Sequence, residues 1–368
     1  MNPAASTTKK PLLMAPAGNL KTAQAALREG ADILYAGIRG WSLRPTAFEI
    51  DETEFLKILE LTKKYEKKIF LTMNCFYRTD EIPAALALIG KMKDAGIDAV
   101  IASQPGLIRE IHRRFPDLAI NVSVQTSASN RQELEFYKEL GASLVVLPRN
   151  FPELDPEHIK KLAGTGVGLE MFIVGDDSLN YDGRCYLSSY LNQKKIKDDT
   201  ERKYCMMGSA NRNGFCYLMC KRECEVMEPG GEIHRGHILR RGDLALFSEL
   251  KPLANAGIEV VKIQGREYPA RMVKLIVRMT RKLIDSIDDD SSEKEYVREL
   301  EHLVRLKQVI SANHLRLLAK SKSSFWRNIR PVIEKPWDNI LTALWLAFPF
   351  YRELRWKKYL NEADKIDT

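Results

Sequence analysis

The stretch "PLLMAPAGNLKTAQAALREGADILYAGI", Pro11–Ile38, decides the fold of this chain. It opens on an apolar run ending in Pro-Ala-Gly, passes through an amphipathic segment, and returns to an apolar run. Strands apolar on both faces, separated by a helix, indicate a parallel sheet covered by helices. The same alternation continues outward to about Ser286. The further apolar runs are "KIFLTMN" (68–74), "DAVIAS" (98–103), "AINVSV" (119–124), "SLVVLPR" (143–149), "GLEMFIVG" (168–175) and "EVVKIQG" (259–265). Helical stretches such as "ETEFLKILELTKKYEK" and "AALALIGKMKDAG" lie between them. Eight evenly spaced units predict an α/β fold, a TIM-type (β/α)8 barrel over residues 10–286, with a doubly wound open sheet as the rival.

In either architecture chemistry collects at the carboxyl ends of the strands. Those ends carry Pro16, Ala17, Gly18 and Asn19, then Asn74 and Cys75, Gln125, Arg149, and the "KIQGR" of Lys262–Arg266. Glycine, asparagine and proline end strands everywhere, so turn chemistry accounts for Pro16 and Gly18 as well as function does. Gln125, Arg149, Lys262 and Arg266 are polar groups at the expected barrel mouth, and are the candidate substrate-binding residues.

One connection is far too long for a compact domain. Residues 176–242 form a cysteine-rich insertion that holds five of the six cysteines: Cys185, Cys205, Cys216, Cys220 and Cys224. The remainder is ordinary: 368 residues, 45% hydrophobic and 29% charged, a globular profile. The first residues lack a signal-peptide pattern, and no run reaches the ~20 apolar residues of a spanning helix. A cytoplasmic location is expected, with a peripheral place at the inner membrane face left open. In a reducing compartment clustered thiols point to metal or redox chemistry.

Thiolate ligates zinc and iron–sulfur clusters alike. Zinc sites show C-x₂₋₄-C pairs, often with histidine. Here there is one trio, "CYLMCKREC", with two isolated thiols and His234 and His237 nearest, so zinc ranks second. Cys216 and Cys220 would share one helical face. On a continuous helix Cys216 and Cys224 would stand ~12 Å apart at 1.5 Å per residue, too far for one cubane. Cys205 is the preferred fourth ligand, Cys224 the alternative and Cys75 a third candidate.

Five motifs in order, "LLMAPAGNL…ALREGADILYAG…WSLR", "NVSVQTSASN", "DGRCYLSSY", "SANRNGFCYLMC" and "AGIEVVKIQGR", resemble peptidase family U32, the collagenase-like group, over Pro11–Asp285. The resemblance implies proteolysis by the family's name. Its better-understood branches imply oxygen-independent hydroxylation of transfer RNA, ribosomal RNA or the ubiquinone ring, with a 4Fe-4S cluster on four cysteines. By resemblance Cys185, Cys216 and Cys220 are ligands. Trp41 stands where the ubiquinone-pathway members have their remaining ligand, and Ser178 and Ala245 where another pattern has two. Gln264 replaces the glutamate of K-I-E-G-R, and Val174 the histidine of F-V-H-G. Proteolysis has little support from the residues, since there is no HExxH helix and no G-x-S-x-G elbow.

After Ile287 the character changes. "DDDSSEKE" reads as a solvated linker, and residues 287–368 as a helical extension. In it Trp337, Ile340, Leu341, Leu344, Trp345 and Phe348 form one helical stripe, followed by Arg352, Arg355, Lys357 and Lys358. Such a helix packs on the barrel or lies in a membrane interface through 337–360. The interface suits a lipophilic or aromatic small molecule, so a quinone or isoprenoid is the first substrate expected. RNA, allowed by the net charge of +8, is the alternative. A further alternative is a cluster-bearing subunit serving a paralogous partner of the same family.

Overall fold

The computed structural model describes residues 8–43, 49–149, 155–177, 182–183, 195–196, 205–206, 224–236, 242–289 and 296–297. The chain divides into two compact units, Met1–Lys307 and Gln308–Thr368. The second unit, with the Trp337–Phe348 stripe, lies outside the described residues.

The first unit is a closed parallel barrel. Its strands are β1 (Leu12–Pro16), β2 (Ile33–Ala36), β3 (Lys68–Met73), β4 (Ala99–Ala102), β5 (Ala119–Val122), β6 (Leu144–Val146), β7 (Gly168–Asp177) and, after the insertion, Ile258–Ile263. Each pairs with the next, Ile258–Ile263 lies between β7 and β1, and the β6–β7 pairing closes the ring. The open-sheet rival is excluded by that closure. All eight expected strands are present, because each is a run that can be buried on both faces.

Local chemistry fixes the helices between them. Asn19 caps the helix Leu20–Arg28 by accepting from the Thr22 amide, and the Thr22 hydroxyl accepts in return from the Asn19 amide. Asp51 caps Glu52–Lys64 in the same position. Asn19 is therefore turn chemistry. The closing helix Ala270–Asp285 buries Met272, Val273, Ile276 and Leu283 and packs against Leu20–Arg28. Arg278 spans the two by donating to Glu29 at 2.7 Å.

Inside the barrel, Met14, Ile33, Tyr35, Phe70, Ile101 and Val260 form the lower core. Successive residues of a strand point to opposite faces, so residues two further on also point inward, nearer the carboxyl ends. There the composition turns polar, and the site begins.

The sequence after the insertion reads as a helix from near Asp243, but Gly242–Ala245 is a strand that runs antiparallel to an extension of β7, pairing Gly242 with Asp177. The helix starts at Leu250. Tertiary pairing overrides the local pattern, and it brings the two feet of the insertion together.

Candidate functional site at the barrel mouth

Lys262 lies two residues beyond Val260, whose cross-strand partner is Glu170. Both side chains therefore project into the barrel, and Lys262 Nζ donates to Glu170 Oε1 at 2.7 Å. The ammonium group is 4% exposed and the carboxylate not at all. Asn121 Nδ2 donates to the other oxygen, Glu170 Oε2, at 2.7 Å. Lys262 Nζ also sits 4.5 Å from the Tyr35 ring centre and 5.3 Å from that of Phe172. Burial pulls the Lys262 pKa below its ordinary value, with the charge and hydrogen bond of Glu170 opposing and Arg266 adding to the fall. Asn121 Oδ1 and Thr72 Oγ1 are buried with no hydrogen-bond partner among the described residues. Polar groups this deep are normally satisfied, so these atoms mark a place where a polar ligand atom would be accepted.

Arg149, at the end of β6, is the hub of the next layer. Its Nη1 donates to Gln264 Oε1 at 2.6 Å. Its Nε and Nη2 reach Asp182 Oδ1 at 3.1 and 2.5 Å, and its own backbone N–H donates to Asp182 Oδ2 at 2.8 Å. The guanidinium carbon lies 5.5 Å from the Phe172 ring centre, so Phe172 has two cations near its ring, Arg149 and Lys262. Gln264, which replaces a glutamate in the resembled motif, thus accepts from Arg149 without adding a second charge.

Arg266 closes the mouth from the opposite side. Its Nη1 donates to Ser42 Oγ at 2.8 Å and lies 3.9 Å from Glu49 Oε1, while the Ser42 hydroxyl donates to Glu49. Gly18 passes so close that an added Cβ would lie 1.7 Å from the Arg266 carbonyl oxygen. That glycine is required by backbone approach to the site, beyond ordinary turn chemistry.

The structure brings together three of the four substrate-binding candidates, Arg149 and Lys262 at the Phe172 ring and Arg266 close enough to act on the Lys262 charge. Gln125 lies in the adjoining turn Val124–Thr126, where it contributes its backbone: its amide donates to Ser123 Oγ at 3.4 Å. Sequence reasoning missed Glu170, Asn121, Asp182, Ser42 and Glu49. A signal existed for Glu170, a carboxylate inside the apolar run "GLEMFIVG" with a lysine inside "EVVKIQG", the next barrel strand along the chain.

Of the cluster candidates, Cys185, Cys216 and Cys220 lie outside the described residues. Cys205 pairs through its backbone with Ile196 in a two-residue ladder. Cys224 opens the strand Cys224–Met227, paired antiparallel with Ile233–Gly236. Cys224 itself therefore stands in a strand, and the ~12 Å helical spacing does not apply to it. Five thiols in one loop, with feet paired at the barrel mouth, fit an all-thiolate cluster by donor chemistry. Cys75 is fully buried behind the end of β3. Trp41, at the displaced ligand position, is packed against Tyr77 with ring centres 6.0 Å apart.

The family model described as peptidase family U32 matches residues 18–316. The tRNA hydroxylation protein P1 of Bacillus subtilis (strain 168) is 29% identical over 306 residues, covering 80% of this chain and 68% of that protein. The 23S rRNA 5-hydroxycytidine C2501 synthase of Escherichia coli (strain K12) is 25% identical over 284 residues, covering 76% of this chain and 40% of that protein. A collagenase of Porphyromonas gingivalis is 27% identical over 302 residues, covering 77% of this chain and 68% of that protein.

Proposed function

This chain belongs to peptidase family U32, and from that premise we propose that it is an enzyme that hydroxylates a base of transfer or ribosomal RNA without molecular oxygen. The observation that carries the reading is the buried Lys262–Glu170–Asn121 set, lying beneath the Arg149 and Arg266 layer at the carboxyl end of the barrel. Enzymes that act on a base take it out of the stack and read its edge with hydrogen bonds. The mouth offers donors in Lys262, Arg149 and Arg266, acceptors in Asn121 and Gln264, and the rings of Tyr35 and Phe172. A net charge of +8 supports contact with phosphate.

The relatives named for tRNA and rRNA favour RNA over the quinone or isoprenoid first expected. The stripe that suggested a lipophilic substrate lies outside the described residues, and among the described residues no helix is long and apolar enough to cross a membrane. A 4Fe-4S cluster on Cys185, Cys216 and Cys220, with Cys205 or Cys224, is part of the proposal; it would carry electrons or activate a separate oxygen donor, which supplies the oxygen atom and takes up the two electrons that converting C–H to C–OH releases. The barrel's own residues bind the base, orient it and exclude water. Lys262 holds a proton at Nζ, and Glu170 and Asn121 fix where that proton points.

Nucleoside mass spectrometry of RNA from cells lacking the gene tests the reading. The expected result is loss of one hydroxylated nucleoside, restored by the wild-type chain. Unchanged nucleosides, together with peptide hydrolysis by the purified protein, would replace it with the collagenase-like activity.

A further inference from the structure

We propose that Arg149 and Asp182 form a positioning clamp that pins the start of the cysteine-bearing loop to the barrel mouth, three residues ahead of Cys185. The use to which Cys185 is put rests on the cluster reading above; the clamp itself rests on geometry. Asp182 lies five residues past Asp177, the last residue of β7 paired with Gly242. Its carboxylate is only 2% exposed, and it gathers the Arg149 guanidinium and the Arg149 backbone N–H together. The Ser127 hydroxyl donates to the Asp182 carbonyl. Gly183, at φ +77°, approaches the turn after β5 so closely that a Cβ would lie 1.9 Å from the Gln125 carbonyl oxygen.

Three strand-end connections, those after β5, β6 and β7, therefore meet at Asp182–Gly183. Cys185 is three residues further on. Arg149 is held from its other side by Gln264 and Phe172, and Phe172 also faces Lys262. The clamp thus joins the loop to the substrate layer through one guanidinium. An exposed pair would hold such a loop weakly. A buried carboxylate with several charge-assisted bonds holds it firmly, because losing either partner strands a charge.

The test uses the full-length protein prepared anaerobically, as wild type, Asp182→Asn, Arg149→Lys and the control Arg131→Gln. Two rates are read: hydrogen exchange of peptides spanning Arg149 and residues 182–196, and loss of visible absorbance to an iron chelator. Asp182→Asn should speed both by about tenfold or more. Arg149→Lys, which keeps the charge without the planar fork, should fall between, and it stands in should Asp182→Asn fail to fold. Arg131→Gln should change neither beyond about twofold. Unchanged exchange would overturn the clamp. Faster exchange with unchanged bleaching would overturn its service to Cys185. A colourless wild-type protein without acid-labile sulfide would remove the cluster reading instead, leaving exchange alone to decide whether the clamp holds the loop.

Discussion

Among the buried ion pairs of the barrel mouth, Lys262–Glu170 and Arg149–Asp182 are held in place by different things. Lys262–Glu170 joins neighbouring strands whose register is set by backbone ladders along their length. Arg149–Asp182 joins a strand end to a loop residue beyond the last paired residue of β7. The first pair is positioned by the fold. The second does the positioning itself. Removing a partner from the first should therefore appear as lost barrel stability, and from the second as a loosened loop.

The largest expected effect is at the interior pair. Lys262→Met leaves the buried Glu170 carboxyl without its cation, and should destabilise the barrel by about 3–5 kcal/mol in denaturant unfolding. Adding Glu170→Gln should recover much of that loss, since the orphaned charge goes with it. A double mutant no more stable than Lys262→Met would show that an orphaned Glu170 charge is not the source of the loss. Asp182→Asn comes next, at about 1–3 kcal/mol or less of global stability, with its main effect on local exchange. A global loss as large as that of Lys262→Met would erase the distinction between the two pairs.

The interior pair also carries a pH signature. Burial lowers the folded-state pKa of Lys262 below 10.5, so the folded protein binds fewer protons than the unfolded chain between those two values. The cost of burying the ammonium is fully present below the folded pKa and is relieved as pH rises from there to 10.5. The stability of wild type relative to Lys262→Met should therefore increase as pH approaches 10.5. A difference that shrinks over that range would contradict the burial. The smallest effect belongs to the exposed Arg131–Glu135 pair, where Arg131→Gln should cost no more than about 0.5 kcal/mol.

What was legible in the sequence follows the same division. Two-sided apolar runs such as "KIFLTMN" and "DAVIAS" announce parallel strands, because burial on both faces leaves few polar positions. Arg149, Lys262 and Arg266 were legible as polar residues at strand ends. Their partners were not. Glu170 lies within a strand, and Asp182 meets Arg149 only across 33 positions of chain. Asp243 read as a helix start because the extension of β7 that captures Gly242–Ala245 is a tertiary event. The cysteines were visible from spacing alone, yet which of Cys205 and Cys224 completes a set depends on how the loop folds.

Complementation of the deletion strain tests the central claim most directly. Hydroxylated nucleoside is measured in RNA from cells carrying wild type, Arg131→Gln, or the Glu170→Gln/Lys262→Met double mutant, each shown to be folded. The proposed chemistry at the barrel mouth predicts full restoration by wild type and by Arg131→Gln, and none by the folded double mutant. Full restoration by the double mutant would contradict it.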